Sequence, residues 1–345
     1  MTAPSASGRG LAPAQALLHL VNGSWTTQAI AVAAELGIAD LLAGGIGQPD
    51  ELARIAGCHA PSLHRLLRAL ASLGLCAELE DGTFVPTALG ALLASHAPMS
   101  LRGTAIYGRY KWPVWGNLLH SVKTGECASA LAHGTPVFEH LARDATAAEV
   151  FHRAMTETTR LIARAVVAAY DFRGFERIVD IGGGYGEMLG AVLRACPSAR
   201  GVLFDLPATL EGARRHLETA GLAPRCELVA GDFFESVPAG ADAYLLKRVI
   251  HDWDDDRATA ILCRCREAMA RHAKLLLVEQ VMPERMAVTP EHQDAARMDL
   301  HMLLMVGGRE RTADQYRQIL AAAGLGLDTI VPATLNVCVI EARPC

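Results

Sequence analysis

From Arg177 onward the chain alternates short apolar runs with helical patterns, and few folds accommodate that rhythm. Residues 178–181, 201–204, 227–229, 243–246 and 274–278 read as strands, and the stretches 187–194, 207–220 and 255–270 between them read as helices. Strands separated by helices predict a parallel sheet covered on both faces. Two further runs, 325–331 and 336–341, lie too close together for a crossover helix and suit an antiparallel addition at the sheet edge.

The loop after the first strand, Val179-Asp180-Ile181-Gly182-Gly183-Gly184-Tyr185-Gly186, is the first candidate ligand site. Glycines there let the backbone turn sharply and come close to a ligand. Gly182, Gly184 and Gly186 are spaced G-x-G-x-G, which differs from the dinucleotide fingerprint G-x-G-x-x-G and disfavours an oxidoreductase. Asp205 ends the second strand, where a carboxylate can accept both hydroxyls of a ribose; its structural alternative is a helix cap before Pro207. Gly231-Asp232-Phe233-Phe234 closes the third strand, an acid and a ring suited to an adenine. Open α/β sheets bind ligands along the C-terminal edge of their strands, so groups at successive strand ends argue together.

His251, in Lys247-Arg248-Val249-Ile250-His251-Asp252-Trp253, follows the fourth strand and falls on that same edge. Histidine is the side chain best suited to removing a proton near neutral pH. The run Asp254-Asp255-Asp256 suits the first turn of the next helix, where acids complement the dipole and cap amides. No spacing of acids and histidines builds a metal site.

Upstream, residues 13–93 are almost wholly helical. A short helix opens at Pro49, a second runs from Pro61 to Gly74, and two short strands flank Asp81-Gly82. Helix, turn, helix, hairpin is the order of a winged helix. Such modules bind DNA or pair subunits, and the wing's Glu78, Glu80 and Asp81 carry the wrong sign for phosphate. A helical middle extends to about residue 170 and includes Trp112, Trp115, Phe138, Phe151 and Met155, residues that at helical spacing ordinarily form core.

The 345 residues, 51% hydrophobic and 20% charged, supply core for two domains. A formal charge of -5 gives no electrostatic case for nucleic acid or an anionic membrane, and no run is apolar enough for a membrane span. Nine cysteines without a C-x-x-C pair indicate a reduced, cytoplasmic protein. Residues 1–10 read as a disordered tail. The expected organisation is that tail, a winged-helix-like domain over 11–100, a helical linker over 101–170 and a ligand-binding α/β domain over 171–345.

Taken in order, the glycine loop, Phe204-Asp205-Leu206-Pro207, Gly231-Asp232-Phe233-Phe234, His251-Asp252-Trp253 and Gly307-Gly308-Arg309-Glu310-Arg311-Thr312 resemble the caffeic acid and hydroxyindole O-methyltransferase type. The likeness is greatest to bacterial members acting on phenazines, quinones and anthracyclines, and it covers nearly the whole chain. It implies a Rossmann-like class I methyltransferase sheet, S-adenosylmethionine as methyl donor, and an N-terminal domain that builds a homodimer. It implies His251 as general base, with Glu279 and Glu310 bracketing it. Gly182, Gly184, Asp205, Asp232, Phe233 and Lys247 become cofactor contacts; Phe151, Met155 and Met302 become lining for a small aromatic acceptor. No metal, nucleic acid or membrane is implied. Met305-Val306 stands where plant members carry Asn-Pro, which disfavours plant phenylpropanoid acceptors. The alternatives are N- or C-methylation, or hydroxylation or decarboxylation by a protein that keeps the cofactor.

Overall fold

The computed structural model describes residues 7–345, with side chains from residue 12 onward. Residues 1–6 of the expected tail lie outside that range, and α1 begins at Ser7. The chain forms two compact units that divide between Trp112 and Pro113.

The first unit contains α1 (Ser7–Val21), α2 (Gly23–Glu35), α3 (Ile38–Ala43), α4 (Pro49–Ala56), α5 (Ala60–Ser72), β1 (Cys76–Glu78) and β2 (Phe84–Pro86). Local chemistry sets these limits. Pro49 opens α4 with Asp50 and Glu51 in its first turn, and Gly57, at φ 66°, ends it. The hairpin turns at Gly82 with φ 80°, and the Asp81 carboxylate accepts the Thr83 amide at 2.9 Å. Leu52, Leu63, Leu67, Leu70 and Phe84 fill the core beneath it. The helix, turn, helix, hairpin order is therefore present. α6 (Arg102–Trp115) runs across the division between units.

The second unit opens with α7 (Leu118–Thr124), α8 (Ser129–His133), α9 (Val137–Arg143) and the long α10 (Ala145–Ala169). Asp144 caps α10 by accepting the Thr146 and Ala147 amides. There follow β3 (Arg177–Ile181), α11 (Glu187–Ala195), β4 (Arg200–Asp205), α12 (Pro207–Thr219), β5 (Cys226–Ala230), β6 (Ala243–Lys247), α13 (Asp255–Ala268) and β7 (Lys274–Glu279). The chain continues through β8 (Val281–Met282), α14 (Pro290–Met305), β9 (Arg311–Thr312), α15 (Ala313–Ala322), β10 (Leu325–Pro332) and β11 (Cys338–Pro344).

Seven strands form one sheet in the order β10-β11-β7-β6-β3-β4-β5. β3 to β7 run parallel, while β11 pairs antiparallel with both β7 and β10, as the spacing near the C-terminus suggested. One face packs against α10, α11 and α12, the other against α13 and α15. Alternation along each strand then fixes where polar residues fall. Val179, Tyr244 and Leu277 face α13 and α15, whereas Ile178, Leu245 and Leu276 face the other layer. By that parity Asp180, Asp205 and Lys247 share the α10–α12 face, and Glu279 takes the opposite one. Strand order reverses between β3 and β6, which places the glycine loop beside the segment carrying His251. No helix among the described residues is long and apolar enough to cross a membrane.

Candidate active site

The glycine loop leaves β3 with φ of 65°, 59° and 79° at Gly182, Gly184 and Gly186. These left-handed angles are costly for any residue with a Cβ. At Gly184 the turn presents an amide to Asp205, whose Oδ2 accepts it at 2.8 Å, while Oδ1 accepts the Leu206 amide at 2.7 Å. The cap reading of Asp205 fits poorly, since Leu206 is the α12 cap residue and Asp205 reaches back across the sheet edge to the loop. Burial raises the Asp205 pKa, and those two amides pull it back only in part.

Asp180 lies beneath the loop with both carboxylate oxygens buried and without a hydrogen-bond partner. Burial lifts its pKa to about 7 against the pull of nearby Lys247. Lys247 ends β6, donates to Thr159 Oγ1 at 2.8 Å, and is pushed down to about 8 by burial, with the Arg248 charge adding to the effect. Thr159 belongs to α10, and Phe151, Met155 and Thr159 follow one another at intervals of four along that helix. Residues at that spacing fall on the same side of the helix as Thr159, drifting gradually around it. His152 stacks on Tyr185 of the glycine loop with ring centres 4.7 Å apart, which lays the same helix over the loop.

Asp232 Oδ1 accepts the Phe234 amide at 2.8 Å, closing the turn after β5. Phe233, Phe234 and Trp253 form an aromatic cluster, with Phe234 edge-on to Trp253 at 4.9 Å and Arg257 stacked 4.3 Å from the Trp253 ring. The acidic run resolves as expected for a helix start: Asp254 caps α13 through the Arg257 amide.

Beyond β6, Arg248 adopts φ 52°, an unusual angle for a side-chain-bearing residue, and bends the chain into a short turn over Ile250–Asp252. Glu279 Oε1 accepts the Val249 and Ile250 amides at 3.0 and 2.9 Å, pinning that turn to the end of β7. His251 is 4% exposed. Its Nδ1 lies 2.8 Å from Glu310 Oε1 and 3.8 Å from Glu279 Oε2, and its Nε2 lies 3.5 Å from Asp252 Oδ1. Burial alone would lower the imidazole pKa; the carboxylates of Glu279, Glu310 and Asp252 outweigh it and raise the value to about 9.

His251, Glu279 and Glu310 also place three potential cation ligands within 4.8 Å of one another. Spacing along the chain did not suggest a metal cluster, because its members come from three separate segments; only the family resemblance had put the three together. The carboxylates raise the affinity of the imidazole for a proton, and a metal would have to compete with that proton.

Glu310 arrives through the glycine-paired motif after α14. Met302, itself buried on α14, accepts the amides of Val306, Gly307 and Gly308. Gly308 then passes so near the His251 turn that a Cβ there would lie 2.1 Å from the His251 carbonyl oxygen. Asp299 receives the Glu310 amide at 2.9 Å, and Thr312 starts α15 with a capping box to Gln315. Sequence reasoning missed Thr159, Asp180 and Arg311; a buried acid inside an apolar strand was the available signal for Asp180.

The donor set suits an adenosine-bearing cation. It offers an open glycine turn, a carboxylate at the end of β4, rings beyond β5 and β6, and an unpartnered buried carboxylate beneath the loop. Comparison with known proteins agrees. Residues 115–326 match the O-methyltransferase domain, and residues 18–96 match the O-methyltransferase dimerisation domain. The chain is 45% identical to the phenazine O-methyltransferase PhzM of Lysobacter antibioticus over 95% of both chains. It is 39% identical to the mitomycin biosynthesis 6-O-methyltransferase of Streptomyces lavendulae, over 94% of this chain and 93% of that one. Human N-acetylserotonin methyltransferase, solved with S-adenosylmethionine, superposes with a TM-score of 0.89 at 26% identity, covering 100% of this chain and 99% of that one. N-methyltransferases are also among the relatives. The glycine loop, the strand-end groups and both domain matches thus lead to one conclusion: the chain belongs to the S-adenosylmethionine-dependent O-methyltransferases that carry an N-terminal dimerisation domain.

Proposed function

We propose that the protein methylates a hydroxyl of a small planar aromatic secondary metabolite, with His251 as general base and without a metal. The observation that carries this reading is the short contact between His251 Nδ1 and Glu310, which leaves Nε2 as the atom able to take a proton. S-adenosylmethionine supplies a methyl group already activated on its sulfonium. Asp205 binds the ribose hydroxyls, Asp232 and Phe233 the adenine, and Gly182, Gly184 and Lys247 the remainder. Phe151, Met155 and Met302 grip the acceptor ring and exclude water. In this division of labour residues 11–100 pair subunits, 101–170 shape the acceptor pocket and 171–345 bind the cofactor and carry out the chemistry.

The proton bookkeeping follows from the surroundings of His251. With Nδ1–H held by Glu310, the neutral ring presents the Nε2 lone pair, and Glu279 and Glu310 stabilise the cation formed on proton transfer. The aromatic acceptor class is supported by phenazine and mitomycin enzymes among the relatives. A panel of phenolic and phenazine acceptors with methyl-labelled cofactor, run with and without EDTA, tests the proposal. An O-methyl ether formed equally well in chelator is expected. A product labelled only on nitrogen or carbon, or a dependence on added magnesium, would overturn the corresponding part.

The same reading includes a homodimer in a reducing cytoplasm; all nine cysteines are free. Leu17, Leu18, Leu20, Val21 and Trp25 on α1 and α2 are exposed, Trp25 at 70%, within the matched dimerisation domain. DNA binding is disfavoured because Arg68 and His64 of α5 turn to Glu78 of the hairpin. Light scattering at micromolar concentration should give twice the chain mass, and a monomer would refute the dimer.

A further inference from the structure

Glu310 holds the His251 ring, but a ring is placed only as firmly as the backbone beneath it. The adjoining residue, Arg311, attends to that backbone. Its side chain has no exposure to solvent, although a guanidinium buried in this way gives up strong hydration. Nη1 donates to the Ile250 carbonyl at 3.1 Å and Nη2 to the Trp253 carbonyl at 2.8 Å, so the donors grip the turn on both sides of His251. Nε donates to Asp255 Oδ1 at 2.9 Å, in the first turn of α13. Between those two carbonyls, the His251 carbonyl accepts the Arg309 amide at 2.9 Å. Residues 309–311 therefore engage the backbone at 250, 251 and 253 as well as the imidazole itself. A planar fork with fixed donor directions does this where a flexible ammonium would not.

We infer that Arg311 is a positioning residue for methyl transfer: it clamps the Ile250–Trp253 turn, with Asp255 as its anchor, so that His251 Nε2 stays aimed at the acceptor hydroxyl. This rests on the reading of His251 as the base. Arg311 touches neither acceptor nor cofactor in this scheme, and its influence passes through the turn alone.

A mutant cycle tests it, using Arg311→Met, Arg311→Lys and His251→Ala, singly and combined, with a weakly acidic phenol as acceptor. Arg311→Met should lower kcat about tenfold while acceptor KM and cofactor affinity by calorimetry change less than twofold, since a small misalignment of a reacting group is costly for rate. Arg311→Lys should recover part of the loss. Once His251 is Ala, Arg311→Met should bring no further loss. A tenfold loss persisting in that background, or unchanged kcat in the single variant, would overturn the inference while leaving the base reading intact. Undiminished turnover in His251→Ala alone would overturn both. Should Arg311→Met fail to fold, Asp255→Asn, at a half-exposed anchor, carries the same cycle with the same outcomes.

Discussion

His251→Ala should fold, bind S-adenosylmethionine nearly as well as the unaltered protein, and turn over weakly acidic phenols roughly two to four orders of magnitude more slowly, the usual range for a lost general base. The ring is buried in a short turn at the sheet edge, and its removal deletes a polar side chain while the apolar neighbours Val249 and Ile250 stay in place. The defect should shrink as acceptor pKa falls, because an ionised hydroxyl needs no base. The carboxylates around His251 add a further signature. With its pKa raised to about 9, the imidazole is largely protonated at neutral pH and must lose that proton to act as a base. Turnover of a phenol that binds neutral should therefore climb with pH until about 9 and then level off, whereas an acceptor that binds ionised should show no such climb, because the imidazolium suits its charge. Steady-state kinetics across pH with two acceptors of different acidity would show this. Equal losses in His251→Ala for both acceptors would leave His251 a shaping role only.

Asp205→Ala should weaken S-adenosylmethionine binding by more than tenfold, read by calorimetry. Two effects combine. On the proposed reading the ribose loses a charged bidentate acceptor, and the glycine loop loses the carboxylate that holds the Gly184 amide. Asp205→Asn keeps one carbonyl oxygen and should fall between the two. Because burial raises the pKa of this carboxyl, affinity should also decline as pH falls and the group takes up a proton, and that slope should vanish in the Ala variant. Unchanged affinity in Asp205→Ala would make the residue a purely structural tie.

The legible parts of the site were those that depend on local spacing. The glycine loop, Asp205, the third-strand aromatics and the acidic start of α13 announce themselves within a few residues, because strand ends, turns and caps are short-range features. The sheet was legible for the same reason, down to the antiparallel pair at its edge. Arg311 was not, since nothing in Glu310-Arg311-Thr312 reveals that a guanidinium will be buried against carbonyls some sixty positions earlier. The short parallel pairing of β8 with β9, which brings that motif alongside the end of β7, involves two residues per strand and leaves no periodicity to read. Thr159 was missed similarly: its contact with Lys247 spans 88 positions and joins a helix to a strand end. Glu279 and Glu310 were both placed beside His251, but their unequal tasks emerged only in three dimensions. Glu310 bonds the ring, and Glu279 chiefly holds the amides before it.

The pairing of β7 with β11 sets an order of assembly. Glu279 sits opposite Cys338 in that register, and the four residues before it pair with Val339 through Ala342. The strand that pins the His251 turn is thus flanked on one side by a segment that leaves the ribosome after every residue of the candidate site. Pairings between distant segments are slow to form, because the intervening chain must first be closed into a loop. The N-terminal unit, with its short-range helical contacts, can fold while this strand is still unflanked. During synthesis the core of the N-terminal unit can therefore close before the turn that carries His251 is fully supported.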